Sequence, residues 1–210
     1  MGIIAIKLED TNYSYGDVVN LLHEAFQERL EQGLRYTCSY ITEEQFRKKT
    51  EKGIVLVAIA EDSGALLGTM TLNLPDVKNE KYGYMEYVAV NNNVKAAGVG
   101  TKLFSTLQKL AIDYGCTYLL SDTSTQAVSA VRWHLKLGYK IIGLESYRST
   151  NYWSYVFRKQ LVPSSRWDNG VYCKWHYMKS WLFIRTTRDI NGNDTSIGKV
   201  YKVLKRKCKS

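Results

Sequence analysis

A glycine-containing turn is the first segment of this sequence whose residue types could do chemistry. It reads Lys95-Ala96-Ala97-Gly98-Val99-Gly100, follows an apolar run and precedes an amphipathic stretch. Glycines let backbone N–H groups approach an anion closely, because no Cβ stands in the way. A helix that begins at such a turn directs its unpaired N–H groups and positive dipole end at the same place. The turn therefore predicts a site for a phosphate-type anion, to which Lys95 could add a cation.

Other phosphate-binding turns fit this segment less well. No Gly-Lys-Ser/Thr follows, so the turn is not a P-loop. Leu103 stands where a dinucleotide-binding fingerprint would place its third glycine. An ordinary helix N-terminal turn without a ligand is the remaining alternative.

Glu86 is the second candidate, because it is a carboxylate within the apolar run from Tyr82 to Val90. If strand side chains alternate, Glu86 projects on the same face as Val88 and Val90. Burial would raise the pKa of its carboxyl toward a value that suits a general base. The alternative is a strand glutamate that is satisfied by a partner or exposed at a sheet edge.

The elements that must position these residues follow from hydrophobic periodicity and capping signals. One helix should begin at the glycine turn and end near Gly115. The other predicted helices are 17–32, a helix capped by Thr42 that ends at Gly53, and 126–137; the predicted strands are 3–8, 54–60, 66–74, 82–90, 118–120, 139–144 and 152–161. Hairpins combined with β-α-β crossovers predict an α+β fold, with a mixed, mostly antiparallel central sheet flanked by helices.

Together with its neighbours, the turn resembles motif A of the GNAT superfamily of acyl-CoA N-acyltransferases. In that family a strand ending in an Ala-Val-like pair leads to Arg/Gln-x-x-Gly-x-Gly/Ala and a helix. Here the strand is Met85–Val90, and Lys95 stands where Arg or Gln is usual. The family's second motif, a helix ending in a Tyr-x-x-x-Gly-Phe-like sequence, is similar to residues 129–139. The resemblance covers residues 1–162 and implies a GNAT-like α/β sandwich.

The resemblance implies an acetyltransferase that uses acetyl-CoA as donor. Its acceptor would be a primary amine of a small molecule, amino sugar or peptide, which attacks the acetyl group directly. Glu86 would serve as base or amine-binding group. His134 stands at the position of the family's general-acid Tyr, and would either protonate the departing thiolate or hydrogen-bond and pack against CoA. The residues that the resemblance assigns to donor binding are Val88, Ala89, Val90, Lys95, Ala96, Ala97, Gly98, Val99, Gly100, Thr101, Ser129 and Arg132.

The positive charge of the chain is concentrated at its C-terminal end. Residues 163–210 hold eleven Lys/Arg and three Asp, whereas residues 1–162 are almost neutral with 18 basic and 17 acidic groups. We therefore predict a GNAT-like domain at 1–162 and a basic, helical extension at 163–210. The pattern of Tyr172, Trp175, Met178 and Leu182 predicts one amphipathic helix there, and Asp194 or Thr195 should cap a second.

Several partners are compatible with the basic extension. It could hold an anionic acceptor such as a nucleotide-linked sugar, an acidic membrane surface or nucleic acid. No nucleic-acid motif is present, so nucleic acid is the weakest of these interpretations. The alternative is a solvated basic face on helices that pack against the domain or against the second subunit of a homodimer.

The remaining composition limits the class of protein. The four cysteines and three histidines are scattered, and no two cysteines have metal-site spacing, so we expect no metal and no disulfide framework. The N-terminus lacks the basic leader of a signal peptide, and no stretch is apolar enough to span a bilayer. We expect a cytoplasmic enzyme. The competing hypotheses are a non-catalytic acyl-CoA-binding or sensor module and a basic surface-binding protein with a GNAT-like core.

Overall fold

The fold is built on a β-sheet. The computed structural model describes residues 2–75, 80–94 and 97–207. The strands in these ranges are β1 (Ile3–Lys7), β2 (Gly53–Ala60), β3 (Leu66–Asn73), β4 (Tyr82–Val90), β5 (Tyr118–Ser124), β6 (Lys140–Ser146) and β7 (Trp153–Gln160). They form one seven-stranded sheet in the order β1-β2-β3-β4-β5-β7-β6. The sheet is mixed and mostly antiparallel, which confirms the predicted fold class.

Helices connect and follow the strands in the predicted order. They are α1 (Tyr15–Glu31), α2 (Glu43–Thr50), α3 (Val99–Asp113), α4 (Val128–Lys136), α5 (Gly170–Thr187) and α6 (Ser196–Lys207). The capping box predicted at Thr42 is confirmed: its hydroxyl accepts from the Gln45 N–H at 3.2 Å, and the Gln45 side chain accepts from the Thr42 N–H at 3.2 Å. Such a box satisfies two backbone donors that would otherwise lack partners.

The chain divides into two compact units, Met1–Leu120 and Ser121–Ser210. In the first unit, β1 to β4 pair antiparallel. One apolar cluster of this unit lies on the face of these strands where α1 and α2 cover β2 and β4; its buried members are Leu8, Val18, Val19, Leu22, Ile41, Phe46, Val55, Val57 and Ala89. In the second unit, β6 and β7 pair antiparallel. The division at residue 162 that the charge distribution suggested remains a prediction.

Strand β4 carries one extra residue relative to β3. Thr71 lies opposite Glu86 and Thr69 lies opposite Ala89, so two residue steps in β3 match three in β4. The chain accommodates the extra residue at Tyr87, whose φ of 51° is left-handed. This conformation costs a non-glycine residue about 1–3 kcal/mol, and it persists only where the surrounding structure holds it in place. The Tyr87 ring packs edge-on against Phe46 of α2, with 5.0 Å between ring centroids.

The bulge changes which β4 side chains share a face. Directly opposite residues of an antiparallel pair project from the same face. Glu86 and Ala89 therefore share the face that α1 and α2 cover, whereas Val90, opposite Gly68, lies on the other face. The prediction that Glu86 and Val90 project together is wrong, because the extra residue interrupts the alternation on which it depended.

In the second unit, α5 packs against β6. Ser180 donates to the Leu144 carbonyl at 3.2 Å and accepts from the Leu144 N–H at 3.0 Å, and His176 Nδ1 lies 2.8 Å from the Ile142 carbonyl. The helix predicted from Tyr172, Trp175, Met178 and Leu182 is present, but the last three side chains are exposed. A stripe that periodicity alone would place inward faces outward, because a second set of residues on α5 packs on the sheet.

Two residues, Asp194 and Thr195, were predicted as the cap of the last helix, and the structure shows that it is Thr195. Its hydroxyl accepts from the Gly198 N–H at 3.1 Å and so satisfies a donor in the first turn of α6.

Candidate active site

The glycine turn forms the N-terminus of α3. Gly98 is the N-cap residue, with a left-handed φ of 82°, and none of the residues that the structure describes caps the helix there with a side chain. By contrast, α1, α2 and α5 begin at Ser14, Thr42 and Asn169, whose side chains accept from first-turn N–H groups. An uncapped first turn keeps its N–H groups and the positive end of the helix dipole available to an anion.

Space in front of this turn is open. A Cβ added at Gly98 would meet no atom within 4 Å. The helix behind it is anchored, because Val99 and Leu103 are buried in the first unit. The turn therefore combines an anchored helix with an exposed backbone at Gly98, both of which a cradle for a phosphate requires. Lys95 and Ala96, which were also predicted to bind the donor, lie outside the described residues.

Glu86 is half-buried on β4, at the border of the apolar core. The side-chain amide of Asn73 on β3 donates a short hydrogen bond to its carboxylate. Asn73 lies opposite Gly53 of β2, and a Cβ at position 53 would collide with the Asn73 side chain. The glycine thus leaves room for Asn73 to reach the carboxylate. Thr71, directly opposite Glu86, adds a buried hydroxyl on the same face.

Sequence reasoning missed this arrangement. Asn73 stands at the end of an apolar strand, where it could as well begin a turn before Pro75. The pairing of β2, β3 and β4 brings Gly53, Asn73 and Glu86 together, and that pairing is not visible in local sequence. A polar residue near the end of one predicted strand and a carboxylate within the next is the only signal that the sequence offered.

The other predicted site residues lie on α4, in the second unit. Ser129 and Arg132 are exposed there. His134 is 4% exposed, and its ring stacks on Phe157 with 4.5 Å between centroids. The structure therefore groups the predicted residues in two sets, one around β4 and the start of α3, and one on α4.

Both ring nitrogens of His134 have partners within the second unit. Nδ1 lies 2.8 Å from the Ala130 carbonyl oxygen, which can only accept, so Nδ1 carries the proton. Nε2 lies 3.1 Å from the Ser121 hydroxyl, which can donate to it. Burial lowers the pKa of His134 below 6.5, and the Ala130 carbonyl opposes this only in part. His134 is therefore a neutral, hydrogen-bonded ring at pH 7.

The mixed sheet, with an uncapped helix that follows β4, is the architecture of an acyl-CoA N-acyltransferase. The model of the acetyltransferase (GNAT) family matches residues 16–139, which is more than half of the chain. The protein belongs to this family, whose members use acetyl-CoA as donor. No curated protein sequence is significantly similar to the chain.

Solved structures of acetyltransferases share the fold. IAA acetyltransferase from Bacillus cereus ATCC 14579 has a TM-score of 0.56 at 17% identity, over 76% of this chain and 100% of that one. Ard1 from Thermoplasma volcanium has a TM-score of 0.58 at 14% identity, over 78% of this chain and 100% of that one. An aminoglycoside 6'-N-acetyltransferase complexed with coenzyme A has a TM-score of 0.54 at 16% identity, over 77% and 98%. At these identities the likeness establishes the fold.

Proposed function

We propose that this protein transfers the acetyl group of acetyl-CoA to a primary amine by direct attack. The uncapped N-terminus of α3 at Gly98 carries the proposal, because it supplies an anion site at the end of the strand that bears Glu86. The family membership supplies the donor, and the pair of Glu86 and Asn73 supplies a held carboxylate.

The backbone of the turn would bind the donor's pyrophosphate. Each N–H bond to a charged oxygen contributes about 1.5–3 kcal/mol. The helix dipole contributes about 0.3–1 kcal/mol. The summed amide bonds of Val99, Gly100 and Thr101 therefore outweigh the dipole, and the tight turn matters more than any one side chain. We also propose Lys95, Ala96, Ala97 and Gly98 as donor-binding residues, and the exposed Ser129 and Arg132 as further donor contacts.

The acceptor must lose a proton before it can attack. An alkyl ammonium with a lysine-like pKa of about 10.4 costs about 4.6 kcal/mol to deprotonate at pH 7. Glu86 would take this proton, directly or through water, and the bond from Asn73 would hold its carboxylate in one orientation. The amine nitrogen then bonds to the acetyl carbon, and the C–S bond breaks to release the CoA thiolate. The extra proton on the new amide nitrogen passes through water to that thiolate, which leaves as the thiol.

The backbone of β4 would stabilise charge on the acetyl oxygen. We assign this role to the N–H groups of Val88 and Val90, with Ala89 between them, as the family resemblance implies. Preorganised backbone donors that face a developing oxyanion commonly account for the largest single contribution to such reactions.

For His134, the contacts favour packing over proton donation. In the neutral form the only N–H of the His134 ring is on Nδ1, which faces the Ala130 carbonyl. A cysteine-like thiol has a pKa of about 8.5, so a thiolate of this kind departs without a strong acid. That His134 acts as a general acid remains a prediction. We propose instead that its ring hydrogen-bonds and packs without donating a proton to the thiolate.

Turnover is the direct test of the proposal. Thiol release from acetyl-CoA is measured with a panel of small-molecule amines, amino sugars and peptides. Release that depends on an amine supports the transferase. Tight CoA binding without turnover of any amine would instead favour a sensor module. The panel also narrows the acceptor, which we propose only as a primary amine.

The compartment can be proposed on weaker grounds. Among the residues that the structure describes, Cys38, Cys116 and Cys173 form no disulfide. Buried free thiols such as Cys116 and Cys173 are typical of a reducing environment, so we propose the cytoplasm. A homodimer also remains a proposal, which light scattering of the purified protein would test.

A further inference from the structure

Helix α5 has a second apolar stripe that its own chain leaves exposed. The stripe consists of Val171 (77% exposed), Trp175 (50%), Met178 (61%) and Leu182 (60%). Residues spaced by four, three and four positions lie along one side of a helix. The opposite side of α5, with Cys173, Ile184 and Thr187, is buried. A helix that is apolar on both sides is normally covered on both.

Helix α6 extends this exposed surface. Ile197 (61% exposed), Val200 (59%) and Tyr201 (41%) lie three and four positions apart on its outer side. Phe183 of α5 packs edge-on against Tyr201, with 5.1 Å between ring centroids. The two helices therefore meet at this ring contact. We call their exposed apolar and aromatic residues the basic aromatic face, after the charges described next.

The charged residues within the two helices have one sign. Neither helix sequence contains Asp or Glu, and together they contain eight Lys/Arg. Several of these cations lie on the aromatic rings: Lys179 Nζ is 4.2 Å from the centroid of Trp175, and the Arg185 guanidinium is 5.5 Å from that of Trp181. Lys174 is exposed beside them. Of the charges on α6, Lys202 is paired with Asp194 at 2.5 Å.

We propose that the basic aromatic face docks on an anionic phospholipid surface. Amphipathic helices with aromatic and aliphatic residues on one side and Lys/Arg beside them bind in the plane of a membrane interface. Their apolar side chains enter the acyl boundary while the cations contact acidic headgroups. A single partner then contacts both the apolar side chains and the cations of the face.

Charge and apolar complementarity together favour an acidic membrane over a second copy of the chain and over nucleic acid. A second copy of the chain would bring two strongly basic surfaces together, and like charges that face each other across an interface oppose association. Nucleic acid would match the charge but would leave Val171, Met178 and Leu182 without an apolar partner. An acidic membrane satisfies the cations and the apolar stripe together.

The helices would lie on the membrane. Within residues 2–75, 80–94 and 97–207, no helix combines the length and apolarity needed to cross a bilayer. The inference is independent of the proposed acetyl transfer, because none of the residues in the face belongs to the cradle or to the Glu86 site.

Vesicle flotation with the full chain tests the proposal. One set of vesicles is phosphatidylcholine alone, and the other contains about one third phosphatidylserine. We expect the protein to float only with the acidic vesicles and to be released by high salt. A basic residue near such a surface strengthens binding about fivefold, so Lys174→Gln with Lys179→Gln should weaken it about twenty-five-fold. Lys136→Gln, an exposed lysine of α4, is the matched control and should have little effect.

The apolar stripe needs its own variant. Met178→Ser with Leu182→Ser removes two exposed side chains and should reduce flotation at least tenfold without unfolding the protein. Leu135→Ser, an exposed leucine of α4, is its control. Equal flotation with both vesicle types would overturn the proposal. The proposal would also be overturned if the protein did not bind acidic vesicles and instead formed a dimer that depends on the stripe, as measured by light scattering. Failure to bind acidic vesicles together with binding to duplex DNA would overturn it as well. Acetyl transfer measured without vesicles separates these outcomes from failure of the enzyme assignment.

Discussion

The surroundings of Glu86 and of His134 differ in how far they bury each residue. Glu86 is half-buried, and a neutral amide from the neighbouring strand holds its carboxylate. His134 is almost fully buried, and its two nitrogens are engaged by Ala130 and Ser121. Both are polar groups in apolar surroundings, and sequence alone made both candidates for proton transfer. The contrast teaches that a titratable residue in apolar surroundings is better placed for chemistry when it is partly exposed than when it is almost fully buried.

Removing the carboxylate should produce the largest effect and test the first half of this contrast. Glu86→Gln keeps the shape and removes the base, so kcat should fall about a hundred- to ten-thousand-fold. Affinity for acetyl-CoA should not change, because the cradle is formed by other residues. Steady-state kinetics and CoA titration measure the two quantities. Weakened CoA binding with little loss of kcat would contradict the assigned role.

The next effect tests whether Asn73 acts through Glu86. A hydrogen bond to a charged group contributes about 1.5–3 kcal/mol, so Asn73→Ala should lower kcat roughly tenfold or more while KM for acetyl-CoA is retained. In the Glu86→Gln background the same change should cost little, since residues that act as a unit are not additive. Equal losses in both backgrounds would show that Asn73 has only a structural role.

A pair of glycine variants tests the cradle. Gly98 and Gly33 both have left-handed φ values, 82° and 77°, and at both a new Cβ would meet no atom within 4 Å. Alanine at either position should cost about 1–2 kcal/mol of stability. Gly98→Ala alone should raise KM for acetyl-CoA, by about tenfold if one charge-assisted N–H bond is lost. Thermal unfolding and kinetics of the two variants separate backbone strain from loss of the donor site.

The smallest effect on activity is expected at His134. His134→Gln should leave kcat of the folded enzyme within about threefold, since the group that departs has a pKa near 8.5. Stability should change instead. Burial holds the pKa of His134 below 6.5 in the folded protein, so acidification protonates the unfolded chain first.

The stability that neutral His134 contributes is therefore complete above about pH 6.5 and falls as the pH drops toward its lowered folded pKa. Denaturant titrations between about pH 5 and 8 should show this slope in the wild type, and a shallower slope in His134→Gln. A wild-type slope retained in the variant would assign the pH dependence to other groups. A hundredfold loss of kcat in the variant would restore the general-acid role.

Local signals were enough to predict most elements of the fold. Thr42 and Gln45 predicted the start of α2, and the apolar run from Tyr82 to Val90 predicted β4 to the residue. The bulge at Tyr87 could not be predicted, because an aromatic residue suits a strand and nothing local indicates a left-handed φ. The exposure of Trp175 and Met178 could not be predicted either. Two apolar stripes lie on α5, and only packing against the sheet determines which one is buried. Asn73 reaches Glu86 through long-range pairing, which periodicity does not contain.

The absence of a side-chain cap on α3 has a consequence for how the protein could evolve. Asparagine and aspartate tolerate a left-handed conformation better than other residues, and both cap helices well. A side chain at position 98 that capped the helix would add to its stability, and its oxygen would compete with the phosphate oxygens for the same N–H groups. Selection for heat resistance alone would therefore favour substitutions that weaken donor binding, so a single codon would set stability against catalysis.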